Sequence, residues 1–246
     1  MSNLTNAERY TWEVIQENYE KIPQISISEL AELAHVSLST VNRTVRKKGF
    51  AGYGEFRYSI REKKLPEISG FSTEVLSAIA KNEDELLQTI NNISAQEVEE
   101  AVKMVDEAKE ILIFARGLTI NVANELLRML QLFHKPVSLY DDPEQITYYA
   151  QFATADKLVL ALSLSGENPE INIPLKTVRQ QGGKIIALTT DAESELTALS
   201  DVSLIGYKSR LEVNYFDLDV HSRLPLFILE RVLVDVYSIY QKEKEF

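Results

Sequence analysis

Two loops in the C-terminal half place hydroxyl side chains and glycine directly after short apolar strands. Ala115–Thr119 follows the predicted strand Ile111–Phe114, and Ser163–Glu170 follows the predicted strand Leu158–Leu162. Each loop opens a helix, so backbone amides, hydroxyl groups and the positive end of a helix dipole would converge on one point. Loops of this kind bind anions such as phosphate. The alternative is that their Ser, Thr and Asn residues only cap helices.

A basic segment in the N-terminal half indicates a second kind of chemistry. The segment from Thr40 to Lys64 contains eight Lys or Arg residues and two Glu residues. Its charge is therefore +6, on a chain whose formal net charge is −11. Such a concentration of cations on an acidic chain is typical of a surface that binds a polyanion. A solvated helix face is the alternative. The cations are Arg43, Arg46, Lys47, Lys48, Arg57, Arg61, Lys63 and Lys64.

The elements around this segment have the spacing of a helix-turn-helix. Ser26–Glu29 is a capping box that opens one short helix, and Ser37–Thr40 begins the next. His35 occupies the turn position that often requires a positive φ, which His tolerates better than most residues. In the major groove, Asn42 can bind adenine and Arg43 can bind guanine. The outward-facing residues are Leu38, Ser39, Asn42, Arg43 and Arg46, and the predicted phosphate contacts are Ser37, Thr40, Lys47 and Lys48.

Helical and strand patterns divide the chain into two domains. The first 64 residues have helical patterns only, whereas the C-terminal half alternates amphipathic helices with apolar runs of four or five residues. That alternation predicts a parallel sheet covered by helices on both faces. We expect an all-helical helix-turn-helix domain over residues 1–66, a linker over 67–84, and a three-layer α/β parallel-sheet domain over 85–246. In such sheets, ligands bind at the carboxyl ends of the strands, where the strand order switches.

Composition excludes several classes of protein. The chain has 246 residues and no cysteine, so disulfides and thiol nucleophiles are excluded. No apolar run approaches the roughly 20 residues of a membrane helix, and Met1–Trp12 lacks an apolar signal-peptide core. We therefore expect a cytoplasmic protein that does not enter membranes. We expect neither cofactor nor metal, because no dinucleotide or Walker motif is present and the three histidines lie 99 and 87 residues apart.

Candidate acid–base residues are few. An isomerase would need a positioned acid and base, for which the chain offers Glu170, His134 and His221. His134 lies beside Lys135 near the end of a helix, where a surface position is expected. His221 precedes the terminal helix and could reach the sheet edge. We expect no catalytic residues.

Four strings in the N-terminal half carry a family resemblance. They are Ser26-Ile27-Ser28-Glu29-Leu30-Ala31, Val36-Ser37, Ser39-Thr40-Val41-Asn42-Arg43 and Lys48-Gly49-Phe50-Ala51-Gly52-Tyr53-Gly54-Glu55-Phe56. Together they resemble the N-terminal domain of the RpiR-type bacterial transcriptional regulators, and the last string is the most specific. The resemblance implies binding of double-stranded operator DNA.

The two hydroxyl loops resemble those of the sugar isomerase (SIS) domain, the second half of the same regulators. The string Ser-x-Ser-Gly-x-x-x-Glu is the more specific motif, and the resemblance spans roughly residues 85–240. It implies a dimeric domain that binds a sugar phosphate. The family usually has Gly at Ala115, Ser at Thr119 and Thr at Asn168. The implied effector-binding residues are Gly117, Thr119, Ser163, Ser165, Gly166, Asn168 and Glu170, with Glu170 near the sugar.

The sequence therefore supports a sugar-phosphate-responsive transcription factor for carbohydrate metabolism genes. A rival hypothesis is a sugar-phosphate or amino-sugar-phosphate isomerase with an accessory helical domain. A third, a regulator that binds protein instead of DNA, is disfavoured by the basic helix. The terminal helix Leu224–Gln241 carries more apolar residues than one sheet face requires, which predicts a homodimer or homotetramer with an isologous interface.

Overall fold

A computed structural model describes residues 4–62, 72–209 and 221–244. The chain divides into two compact units, Met1–Ala80 and Lys81–Phe246. The division falls inside the predicted linker 67–84, and the domain limits themselves stay a prediction. Lys63 and Lys64 of the basic segment and the first residues of the linker lie outside the described residues. Within the described ranges, no helix is long and apolar enough to cross a membrane.

The N-terminal unit is helical, as predicted. Its helices are α1 Asn6–Glu17, α2 Ile27–Leu33, α3 Leu38–Lys47 and α4 Tyr53–Glu62, with a 3₁₀ turn at Tyr19–Lys21 after α1. Thr5 and Ser26 form capping boxes with Glu8 and Glu29, the second of them as predicted, and Ser37 caps α3. These side chains satisfy amides that the first turn of a helix leaves without a partner. Local sequence therefore determines where these helices begin.

The turn between α2 and α3 has the predicted conformation. His35 has φ 51°, in the left-handed region, and the Val36 amide donates to the Ala31 carbonyl at 2.9 Å. The helices pack through a core that is shared with α1 and α4. Its largest members are Trp12, Ile15, Ile22, Leu30, Val41, Val45, Tyr53 and Phe56. The predicted helix-turn-helix is confirmed.

The C-terminal unit alternates strands and helices. Helix α5, Thr73–Asn92, crosses the division between the units, and α6, Ala95–Glu107, leads into the sheet. The strands are β1 Glu110–Ala115, β2 Val137–Tyr140, β3 Lys157–Leu162, β4 Lys184–Thr189 and β5 Val202–Ile205. The remaining helices are α7 Ile120–Leu132, α8 Pro143–Ala150, α9 Pro169–Gln180, α10 Glu195–Leu199 and α11 Leu224–Lys244. Of these, α10 was not predicted.

The five strands form one parallel sheet in the order β2-β1-β3-β4-β5. Alternate residues along a strand point to opposite faces. Ile113 and Leu160 face a core that includes α6, α7 and α11, whereas Phe114 and Ala161 face a second core with α8, α9 and α10. The predicted three-layer α/β architecture is confirmed.

Candidate functional site

The two predicted loops meet where the strand order of the sheet reverses. β1 pairs with β2 on one side and with β3 on the other. A crevice opens at the carboxyl ends of two such strands because the connections that follow them run in opposite directions. The loop after β1 leads through a 3₁₀ turn, Gly117–Thr119, into α7, and the loop after β3 leads into α9. The sheet topology thus places both loops at one site.

A cavity of about 110 Å³ lies between these loops. One water occupies about 30 Å³ of liquid, so the cavity holds a group the size of a phosphate, and a sugar would extend beyond it. Four predicted effector residues line it, and Gly117, Gly166 and Glu170 are not among the lining residues. The wall consists of Arg116, Thr119, Leu162, Ser163, Leu164, Ser165, Asn168, Ile171 and Arg223.

Hydroxyl groups form the polar wall of this cavity. Thr119 is 3% exposed and Ser163 6% exposed. The Thr119 hydroxyl oxygen accepts a hydrogen bond from Arg223 Nε at 3.2 Å, and Ser165 Oγ accepts from the Glu167 amide at 3.3 Å. A hydroxyl that already accepts still has its proton to donate. The wall is therefore suited to donate hydrogen bonds to an anion.

Gly166 fixes the path of the second loop. It has φ 68°, and a Cβ atom at this position would lie 2.1 Å from Ser194 Oγ. Its carbonyl accepts from the Asn172 side chain at 2.9 Å and from the Leu196 amide at 3.0 Å. Glycine is required here for both conformation and space. Gly166 shapes the loop, while the lining side chains come from its neighbours.

Asn168 and Glu170 both have partners within the protein, although only Asn168 lines the cavity. Asn168 Oδ1 accepts from the Glu170 amide at 2.9 Å and caps α9, so the helix-cap alternative holds for this residue. The Glu170 carboxylate accepts from Arg116 Nε at 2.7 Å. The structure thus places Glu170 against an arginine and outside the cavity wall, and its expected position near the sugar stays a prediction.

Sequence reasoning missed the two arginines of the cavity. Arg116 belongs to the first loop, in which only glycine and threonine were predicted to bind the effector. A cation next to a predicted phosphate loop could have indicated it. Arg223 comes from the segment before α11, which no local pattern connects to β1. His221 is 8% exposed and is not among the lining residues. His134 is exposed, as predicted, with φ 58°.

Some of the residues of α3 that were predicted to face outward are exposed in the structure. Leu38 is 47% exposed, and Ser39 and Arg43 are exposed. Among the described residues, none forms a hydrogen bond or ion pair with Arg43. Ser37 caps the helix and its hydroxyl contacts Ser39 Oγ at 2.7 Å. Leu38 and Ser39 at the start of this helix, and Arg43 in its second turn, therefore remain available to a partner.

Asn42 and Arg46 hold the loop that follows α3. Asn42 Oδ1 accepts from the Tyr53 amide at 3.0 Å, and Arg46 Nε donates to the Ala51 carbonyl at 2.9 Å. A bidentate contact with adenine uses both the oxygen and the nitrogen of the amide, so the predicted contact of Asn42 competes with its bond to α4. Arg46 is exposed and has further N–H groups to donate.

Lys47, a predicted phosphate contact, forms an ion pair within the N-terminal unit. Its Nζ lies 2.7 Å from Glu8 Oε2, a carboxylate whose side chain is only 4% exposed. The hydrogen bond from Lys47, together with one from the Thr5 amide, lowers the pKa of Glu8 to about 2. Lys47 therefore joins α3 to α1, because the buried carboxylate of α1 needs a cation.

Lys48 and Thr40, also predicted phosphate contacts, have neighbours within the same unit as well. Lys48 Nζ lies over the Trp12 ring, 4.8 Å from its centroid, as a cation–π contact. Thr40 is 9% exposed and its hydroxyl lies 2.9 Å from Ser37 Oγ. Both side chains contact residues of their own unit, and their role as phosphate contacts stays a prediction.

Comparison with known proteins identifies both parts of the chain. The helix-turn-helix domain of the rpiR family matches residues 1–65, and the SIS domain matches residues 104–209. An uncharacterized HTH-type transcriptional regulator in the aarA 3′ region of Providencia stuartii is 29% identical over 191 residues, which cover 73% of this chain and 68% of that protein. The HTH-type transcriptional regulator GlvR of Bacillus subtilis is 24% identical, over 90% of this chain and 85% of GlvR.

A solved structure agrees with this assignment at the level of the fold. The Vibrio vulnificus NanR protein, complexed with ManNAc-6P, has a TM-score of 0.62 at 23% identity, covering 100% of this chain and 91% of NanR. The helix-turn-helix match contains α1–α4, and the SIS match contains all five strands. The chain therefore belongs to the RpiR-type transcriptional regulators, with an N-terminal helix-turn-helix domain followed by a SIS domain.

Proposed function

We propose that the protein binds operator DNA of carbohydrate metabolism genes and responds to a phosphorylated sugar. The observation that carries the proposal is the hydroxyl-lined cavity at the switch point of the sheet, with Thr119 and Ser163 buried in its wall. NanR, which has a similar fold, was solved with a sugar phosphate, ManNAc-6P. Such a regulator would act in the cytoplasm, where bacterial DNA lies.

The size of the cavity implies that the phosphate and the sugar of the ligand would lie in different places. Its size and donors suit the phosphate, and hydrogen bonds to a charged group contribute about 1.5–3 kcal/mol each. The sugar would lie outside, near Arg116 and Glu170, where hydroxyl groups can exchange with the existing ion pair. We expect the phosphate to supply affinity shared by many sugars and the outer residues to discriminate among them.

The same geometry disfavours the isomerase hypothesis. Among the described residues that line the cavity there is no Asp, Glu or His. An acid and a base must come within about 3 Å of the proton they transfer, and Glu170 is held by Arg116 at 2.7 Å. We therefore propose binding without turnover, with phosphate as a recognition group.

We also propose that the protein is a homodimer, although not through the helix that the sequence suggested. The apolar residues Leu226, Leu229 and Leu233 of α11 are buried within their own chain. The part of α5 within the C-terminal unit has the opposite pattern. It buries Glu85 and Thr89 and exposes Leu86, Leu87 and Ile90 by 38–51%.

Exposed leucine and isoleucine on a helix whose polar residues are buried indicate a partner. A second copy fits the proposed function, because helix-turn-helix proteins read paired half-sites as dimers. Leu86→Ser combined with Ile90→Ser should convert the dimer to monomer in light scattering. Leu132→Ser, at a residue 71% exposed on α7, should not. A wild-type monomer at micromolar concentration would contradict the proposal.

The central experiment combines ligand binding with DNA binding. Wild-type protein is titrated in a calorimeter with hexose and pentose phosphates and with the free sugars, and DNA selected from a random pool is used in gel shifts. Ser163→Ala combined with Ser165→Ala removes two hydroxyl donors, so we expect affinity for the phosphates to fall by more than about 100-fold. DNA binding without ligand should stay unchanged.

Two results would contradict this function. Free sugars that bind as tightly as their phosphates would exclude a phosphate site. Turnover of a sugar phosphate above background in a coupled assay would instead support the isomerase.

A further inference from the structure

Arg223 lines the cavity but belongs to none of the sequence motifs. It stands one residue before α11 and forms part of the cavity wall. Its Nε donates to the Thr119 hydroxyl at 3.2 Å, and its Nη1 donates to the His221 carbonyl at 2.6 Å. These two acceptors orient the guanidinium group against the hydroxyl wall.

We propose that Arg223 binds the phosphate group of the effector and, through it, links the start of α11 to the start of α7. This inference rests on the proposed function of the cavity. It adds a cation to a site that the loop motifs describe only as hydroxyl groups and backbone amides.

The contact between Arg223 and Thr119 determines where an anion would lie. Because the Thr119 oxygen accepts from Arg223, the Thr119 proton points to another acceptor. An anion that receives this proton lies beside the guanidinium group, since Nε and the hydroxyl oxygen are 3.2 Å apart. Arginine donates through a planar fork that matches two phosphate oxygens at once.

The second arginine of the cavity is placed differently. Arg116 donates to the Glu170 carboxylate at 2.7 Å and also to the Asp141 carbonyl. A carboxylate at this distance offsets the charge of Arg116 and would repel a phosphate close to it. Arg223 is therefore the better phosphate ligand, and Arg116 with Glu170 faces the sugar.

The link has a consequence for the helices. Thr119 directly precedes α7 and Arg223 directly precedes α11, and both helices pack on the same face of the sheet. A phosphate bound to both residues would hold these two helix starts together. Ligand binding should therefore slow amide exchange in residues 117–123 and 221–229 at the same time.

The test uses full-length protein, inorganic phosphate, a panel of hexose 6-phosphates and the corresponding free hexoses. Arg223→Gln should lower affinity for inorganic phosphate and for the sugar phosphates by roughly 10–100-fold. Any weak affinity for free hexoses should stay unchanged. Arg128→Gln, the same change at an exposed position on α7, serves as the matched control and should bind like wild type. Hydrogen exchange on both segments should respond to phosphate in wild type and not in Arg223→Gln.

The outcomes separate the inference from the function on which it rests. If wild-type protein binds none of the phosphates, the proposed function fails and the inference with it. If wild type binds and Arg223→Gln binds equally well, only the inference is wrong. Equal loss of phosphates and free hexoses would also overturn it, because Arg223 would then contact the sugar. Should Arg223→Gln not fold, Arg223→Lys decides, since lysine keeps the charge but lacks the fork. A loss of at least about 3-fold is expected for it, and no loss overturns the inference.

Discussion

The two candidate binding surfaces are fixed by different parts of the chain. In the C-terminal unit the backbone fixes the site, because the strand order brings two loops together and Gly166 determines the turn of one of them. In the N-terminal unit the surface consists of side chains on one helix. Four of its predicted contacts, Thr40, Asn42, Lys47 and Lys48, bind neighbours in their own unit. The position of the two loops after their strands thus predicted where the cavity lies. The number of cations predicted which helix is basic, but not which of its side chains are free to bind DNA.

Buried glutamates extend this comparison. Glu8 in the N-terminal unit is 3% exposed, and its hydrogen bond from Lys47 lowers its pKa to about 2. Glu230 on α11 is 1% exposed, and within the described residues neither of its carboxylate oxygens has a hydrogen-bond partner. Burial, together with the nearby charge of Glu125, raises its pKa to about 8. One unit supplies a cation for its buried carboxylate, while the other keeps it protonated at neutral pH.

The largest effect is expected at Gly166. Gly166→Ala would place a Cβ atom 2.1 Å from Ser194 Oγ and 2.4 Å from Ser194 Cβ, at φ 68°. Overpacking and backbone strain together should lower the free energy of unfolding by about 4 kcal/mol and abolish phosphate binding. Urea denaturation and calorimetry measure the two effects.

Gly117→Ala is the matched control for this change. Gly117 also has a positive φ, 57°, but a Cβ atom there meets nothing within 4 Å. Only strain remains, about 1 kcal/mol. Equal losses at the two glycines would show that space around the second loop does not determine the site.

The next effect concerns Glu230. The carboxyl group ionises near pH 4.5 in the unfolded chain and near pH 8 in the folded one. The contribution of Glu230 to the free energy of unfolding is therefore greatest below pH 4.5 and falls as the pH rises to 8. Glu230→Gln should remove this fall and stabilise the protein by roughly 2–4 kcal/mol at pH 8, with little difference at pH 4.5. Glu243→Gln, an exposed position on the same helix, should show no such pH dependence.

Lys47 tests the N-terminal side of the comparison. Lys47→Met leaves the Glu8 carboxylate buried without its cation, which should cost about 2–3 kcal/mol of unfolding free energy at pH 7. The stabilisation by Glu8 is present above pH 4.5 and is lost as the pH falls through about 2, so the difference from wild type should shrink in acid. DNA affinity of the folded protein should change little. Parallel loss of DNA affinity and of its salt dependence, absent in Lys21→Met, would restore Lys47 as a phosphate contact.

Sequence predicted the elements and the place of the site better than the contacts. Caps such as Ser26 and Ser37 act within three residues, and the strand pattern depends on local periodicity, so these predictions hold. The short helix Glu195–Leu199 and the bond between Arg223 and Thr119, 104 residues apart, depend on tertiary packing. Side-chain direction at Asn42 is set by Tyr53. None of these contacts has a local signal.

The smallest effect is expected at Arg43, whose exposed side chain is predicted to contact DNA bases. Arg43→Ala removes an exposed guanidinium from the second turn of α3 without breaking a hydrogen bond or ion pair among the described residues. Stability should be unchanged, and affinity for selected DNA should fall by about 1–3 kcal/mol with relaxed preference at one base position. Gel-shift titration against the selected sequence and single-base variants measures both. Arg9→Ala, an exposed arginine on α1, should change neither property. If Arg43→Ala binds the selected DNA with unchanged affinity and preference, α3 does not read the bases, and the open side chains on this helix are only solvated.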